Sequence, residues 1–208
     1  MKVKVAGLIV LFASLTISLY AQPIPVELMS GHKFTSVDVS LSKSFTKDSR
    51  LGFFHMNTLV IDYNDKSENS FILQDLLTYQ LVKNLKIVGG AFYGMPGFNT
   101  TVGFQYYYPG KNFSLLFAPR INITEEPSYD FMTILQYKTG ISDNTKLVTR
   151  LKLLNLFDAN QHIKSYQWLR VGLEMKGTQF GLAFDFDEYG PDPSVQYNFG
   201  LFIRREIF

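Results

Sequence analysis

Three histidines and no cysteine bound the side-chain chemistry open to this chain. Without cysteine there is no thiol nucleophile, disulfide framework, iron–sulfur centre or cysteine-based zinc knuckle. A serine hydrolase would need a serine beside a base, a third group to fix that base, and donors for the oxyanion. His162 and Ser165 are close in sequence, but three positions apart in an unbroken strand they face opposite sides. The same alternation puts His162 in phase with Lys164, Tyr166, Trp168 and Arg170. Ser128 or Ser194 could approach across a rim, with nothing in the pattern to specify it. His32 follows Gly31, and His55 lies in the strand phase opposite Phe54 and Met56. The ordinary reading of such an imidazole is a wet rim.

Asp185 and Asp187 share a strand face and Glu188 follows, so hard oxygen ligands could converge on calcium. No loop has EF-hand spacing, and acidic residues at a rim are commonly just solvated. No metal and no cofactor is expected. Glu125-Glu126 before Pro127 reads as a solvated loop. Gly89-Gly90 and Gly94 with Gly97 do not lead into a helix, as a phosphate cradle would require. Their value is structural, where a curved wall needs low bulk.

The charges that remain are Arg150, Lys152, Arg170, Glu174, Asp185, Asp187 and Arg204, each in a segment whose other side is apolar. Those segments read as strands. From about residue 33 onward, 9 to 15 residues of alternation are followed repeatedly by a short cluster rich in Gly, Pro, Asn, Asp or Ser. Eleven segments stand out: 34–45, 50–63, 71–82, 84–94, 98–108, 112–121, 129–140, 145–157, 163–176, 178–188 and 195–208. A short twelfth is available at 25–31. Phe180, Leu182, Phe184 and Phe186 oppose Gly181, Ala183, Asp185 and Asp187, while Leu169, Val171, Leu173 and Met175 oppose Trp168, Arg170, Gly172 and Glu174. Tight links alternate with roomier polar ones, Met95-Pro96-Gly97 being a short exception.

Ahead of these strands, Lys2 and Lys4 precede the apolar residues 5–19, and Ala21 is followed by Gln22-Pro23. This predicts a secretory signal peptide over 1–21, with 22–208 as the mature domain. The formal charge of +2 belongs to the two leader lysines, so the mature chain is balanced. A role built on nucleic-acid phosphates therefore has no physical support.

A secreted chain of hairpins could be a soluble sandwich, a soluble cup or a membrane barrel. Sandwich strands need about 5 to 6 residues, whereas a tilted bilayer crossing needs about 9 to 11. Most segments meet the longer requirement, and closure would leave no unpaired edge in hydrocarbon. Tyr63, Tyr93, Tyr106, Tyr107, Tyr108, Tyr129, Tyr189 and Tyr197 lie near strand ends, as an interfacial girdle would have them. The expectation is all-β: a single antiparallel transmembrane up-and-down barrel of twelve strands. Ten strands are the alternative, with residues 22–45 as an extension or plug.

The chain resembles the small outer-membrane β-barrel proteins of Bacteroidota. That likeness is carried by Tyr106-Tyr107-Tyr108-Pro109-Gly110, Thr149-Arg150-Leu151, Leu169-Arg170-Val171-Gly172-Leu173-Glu174, Gln179-Phe180-Gly181-Leu182 and the stretch 200–208. It implies an outer-membrane location, outer-membrane lipid and the barrel-assembly machinery as partners, and Phe208 as a terminal assembly signal. It transfers no activity. From the residues, the first functional expectation is a narrow pore for ions or small solutes, with the seven charges above as its lumen-facing set. The alternative is a non-conducting structural or interaction barrel. A lipid-modifying enzyme at the outer rim, using His162 or His32, comes third.

Overall fold

The computed structural model describes residues 24–94, 97–191 and 194–207. The expected leader over 1–21 and the expected assembly signal Phe208 lie outside the described residues. Twelve strands run in chain order: β1 Ile24–Gly31, β2 Phe34–Ser44, β3 Leu51–Asp62, β4 Ser70–Val82, β5 Leu85–Gly94 and β6 Gly97–Pro109. They continue as β7 Phe113–Ile123, β8 Ser128–Ser142, β9 Thr145–Asp158, β10 His162–Met175, β11 Thr178–Tyr189 and β12 Ser194–Ile207.

Each strand pairs antiparallel with its sequence neighbours, and β1 closes the ring on β12 from Ile24↔Ile207 to Gly31↔Gly200. Every strand therefore has two partners, which is how a β structure survives without water to satisfy an edge. Residues 24–31 form a wall strand and not a plug, so the ten-strand alternative is excluded.

The alternation sorts the side chains onto two surfaces. Phe104, Leu182, Leu201 and Ile203 point outward and are exposed, whereas Thr101, Gln105, Ala183 and Arg170 point inward and are buried. This is the reverse of a soluble barrel. The exterior is a broad apolar surface that needs hydrocarbon around it. Of the expected girdle tyrosines, Tyr63, Tyr93, Tyr106, Tyr107, Tyr108, Tyr129 and Tyr197 are exposed, while Tyr189 lines an interior cavity.

The two ends of the barrel differ. Strands meet the end holding Ile24 and Ile207 through links such as Lys83-Asn84 and Lys176-Gly177. Lys176 and Gly177 both have positive φ, 49° and 76°, the geometry of a two-residue turn matched to strand twist. The opposite end carries most of the longer links. There Asp62 accepts from the Asn64 and Asp65 amides, and Asp65 caps a 3-10 turn at Lys66–Glu68 by accepting from Ser67. Those Ser67 bonds hold the Asp65 carboxyl below its ordinary pKa. Asp158 closes another turn by accepting from the Asn160 and Gln161 amides. The β1–β2 link, His32-Lys33, is short although it lies at this end.

One irregularity changes the sequence expectation. The β9–β10 register pairs His162 with Phe157 and Lys164 with Leu156, so Ile163 is an extra residue in β10. A bulge of this kind shifts the side-chain phase by one. His162 is thus out of phase with Lys164, Tyr166, Trp168 and Arg170, and on the same outer face as Ser165.

Candidate functional site in the barrel lumen

Arg170 and Arg150 are direct cross-strand partners, on β10 and β9, both pointing inward. Two like charges in that position repel unless anions lie between them. Glu27 from β1 supplies one: Oε1 accepts from Arg170 Nε at 2.9 Å, Oε2 accepts from Arg150 Nη2, and Arg204 Nη1 stands 3.8 Å from Oε2. Asp185 on β11 supplies the second, accepting from Arg170 Nη1 and, at 3.3 Å, from Nη2. Arg170 and Glu27 are each 2 % exposed and Asp185 is 1 % exposed. Buried charges of this kind persist only when each one is paired.

Above this layer, toward the loop end, Lys152 reaches across the lumen to Asp38 at 3.2 Å and lies 4.8 Å from the centre of the Trp168 ring. Thr58 donates to Asp38 as well. Asp187 accepts from Trp168 Nε1 at 2.8 Å and from the Tyr189 hydroxyl at 3.2 Å, and Lys164 stands 3.9 Å away. Toward the terminal end, Glu174 receives Lys138 at 2.7 Å and Gln179 at 2.9 Å, with Lys146 at 3.5 Å. Arg120 and Asp130 form a further buried pair, to which Asn122 donates. Beside the ionic layer an apolar cluster of Phe54, Met56, Leu76, Val88, Ala118 and Met132 also points inward.

The structure thus places Arg150, Lys152, Arg170, Glu174, Asp185, Asp187 and Arg204 inside, in three linked groups. Their organising anions Glu27 and Asp38 were not singled out from the sequence, nor were Lys138, Lys164 and the Arg120–Asp130 pair. A usable signal existed. Glu27, Asp38 and Asp130 are each flanked on both sides by apolar residues within a strand. Asp185 and Asp187 do not converge on a shared cation position, being committed to Arg170 and to Trp168 with Tyr189. Among the described residues no cluster of His, Asp and Glu is arranged to hold a metal ion.

A cavity of about 520 Å³ opens inside the loop end. Arg120, Asn122, Asp130, Glu125 and Glu126 line it from β7, β8 and their link, flanked by Ile72 and Phe92 on one side and by Leu154 and Leu156 on the other, and Met56, Met132 and Tyr166 also line it. The loop end is therefore a cup, and the ion-paired layer lies deeper in the barrel.

No family model matches the chain, and no curated protein matches it. Among solved structures it is similar to KdgM porin, with 10% identity and a TM-score of 0.53. It is also similar to KdgM porin in complex with disordered oligogalacturonate, at 9% and 0.53, and to NanC porin, at 8% and 0.50. Each likeness covers 90% of this chain and 100% of the solved one. The fold is that of a porin-like outer-membrane barrel. At such identities the likeness is one of architecture.

His32 is at a rim, as expected from the sequence, and the other two histidines are placed differently. His32 sits at the loop end, stacked on Phe199, whose amide donates to its Nδ1 at 3.0 Å. His55 is not at a rim. It lies mid-strand on the outer face, 2.8 Å from Asp75 Oδ1 of the neighbouring β4. His162 and Ser165, expected on opposite faces, are hydrogen bonded at 2.8 Å because of the β10 bulge.

Proposed function

We propose that this barrel is a narrow outer-membrane pore for ions or small solutes, with its path down the lumen. The carrying observation is the ionic layer of Glu27, Arg150, Arg170, Asp185 and Arg204 inside a closed cylinder whose exterior is apolar. Charge on the inside and hydrocarbon-compatible residues on the outside suit a water-bearing channel. The buried carboxamide oxygens of Gln74 and Gln105 have no protein partner, unmet acceptors that water held inside the barrel would satisfy.

The short-turn end, which holds Ile24 and Ile207, is assigned to the periplasm and the loop end to the outside. The likeness to small Bacteroidota barrels supports that setting, with export through residues 1–21, outer-membrane lipid around the barrel, and assembly machinery reading the Phe208 terminus. Below the outer cup the interior cations Lys86, Lys138, Lys146, Arg150, Lys152, Arg170 and Arg204 outnumber the carboxylates. This favours anions. One similar solved porin is in complex with an oligogalacturonate, so sugar acids are natural test solutes here. Liposomes holding the refolded protein should take up small sugar acids faster than neutral sugars of equal size. Uptake equal to that of protein-free liposomes for both classes contradicts the pore.

A second reading has its own observation. At mid-depth Met29, Leu76, Met132, Arg170 and Asp185 are all at most 2 % exposed. If those side chains hold their places, the cylinder is filled as small barrels can be, and the protein is a structural or interaction barrel. Absent uptake together with recovery of one reproducible envelope partner would establish it.

A further inference from the structure

The outer face is apolar almost everywhere, which makes its polar exceptions informative. One exception gathers His162, Ser165, Asn155 and Glu188 at the loop end of β9, β10 and β11. Ser165 has Asn155 and Glu188 as its cross-strand partners. Tyr129, Phe131, Phe157 and Phe186, all exposed, surround this cluster on the same face. Aromatic side chains in such a band mark the boundary between headgroups and acyl chains. The ester bonds of bilayer lipids lie at that boundary.

The hydrogen bonds have a direction. A backbone carbonyl only accepts, so the 2.7 Å contact between His162 Nδ1 and the Gly190 oxygen is an N–H donation from the ring. A neutral imidazole with its proton on Nδ1 has a free lone pair on Nε2. That lone pair lies 2.8 Å from Ser165 Oγ. Oγ is also 3.0 Å from Asn155 Oδ1, and its single proton chooses between the two acceptors. Donation to Nε2 makes Oγ a nucleophile with its base in place and the base itself oriented by a third group. The ring is further fixed by edge contact with Phe157, 5.4 Å between centroids.

We propose that Ser165 and His162 form a lipid-facing acyl-ester hydrolase site on the outside of the barrel, separate from the lumen. Ser165 Oγ attacks the acyl carbonyl of an outer-leaflet lipid while its proton passes to His162 Nε2. The ester C–O bond breaks, the lipid alcohol leaves with that proton, and the acyl group stays on Oγ. Water then adds to the acyl-enzyme, giving a proton to Nε2 and releasing the fatty acid as Oγ takes the proton back. Ser165 is 5 % exposed, so the exposed Asn155 side chain must yield to the incoming ester. The site stands independently of the pore, because Ser165 faces away from every lumen group described above.

The test uses refolded full-length mature protein in phosphatidylethanolamine vesicles, with folding checked by heat-modifiable migration. A fluorophosphonate should label Ser165, and free fatty acid should accumulate. S165A should abolish both, and H162Q should lower both by about 100-fold or more, the usual scale of a lost general base. Both variants should leave solute uptake unchanged. Folded wild-type protein in which Ser165 stays unlabelled, or fatty acid release that is equal in wild type and S165A, overturns the proposal. The contacts would then be a clasp for the β10 bulge only. Wild-type protein alone decides this, so a variant that fails to fold does not block the test.

Discussion

At the scale of single residues, Arg170 is a heavily committed side chain. It joins Glu27 on β1 to Asp185 on β11 while facing Arg150 on β9. Removing it leaves two buried carboxylates short of a cation. Arg170→Ala should lower stability by about 3–5 kcal/mol, the scale of breaking a buried ion pair, read as the denaturant midpoint of the refolded barrel. The His55–Asp75 pair poses the opposite question, because it sits in the wall facing lipid. His55→Leu should destabilise by on the order of 1–2 kcal/mol, since an unpaired acid then meets hydrocarbon. The double variant His55→Leu/Asp75→Leu should recover most or all of that loss. A double variant less stable than the single one would show that the polar pair is itself needed at that position.

Among the elements, β10 and β11 approach closely at a pair of glycines. Gly172 and Gly181 are register partners, and a Cβ on Gly181 would lie 2.3 Å from the Val171 carbonyl oxygen. Gly181→Ala should therefore slow refolding or lower the unfolding temperature, whereas Gly140→Ala, with open space around it, should do neither. Heat-modifiable migration against temperature measures both. Strand existence was readable because alternation with a period of two survives over 9 to 15 residues, and β11 shows it cleanly through Phe180, Leu182, Phe184 and Phe186. Two things were not readable. A bulge leaves no mark in composition, so the phase of His162 came out wrong and the His162–Ser165 contact was missed. Alternation also says that two residues share a face without saying what reaches them across the lumen. Glu27, a long way from Arg150 in sequence, is the partner that only closure of β1 on β12 supplies.

For the molecule as a whole, the decisive contrast is between an exterior with Leu201, Leu182 and Phe104 exposed and an interior with Glu27, Arg170 and Asp185 buried. That contrast assigns hydrocarbon to the outside and water or paired charge to the inside. A cup of about 520 Å³ lies at the loop end, and the ionic layer lies deeper in the cylinder. A conducting barrel requires that layer to be a constriction in a path and not a permanent seal. Single-channel recording of the refolded protein in planar bilayers tests this directly. Discrete conductance steps are expected, with an anion preference under a salt gradient that weakens in Arg170→Ala. Traces from folded, inserted protein that match protein-free bilayers would contradict it.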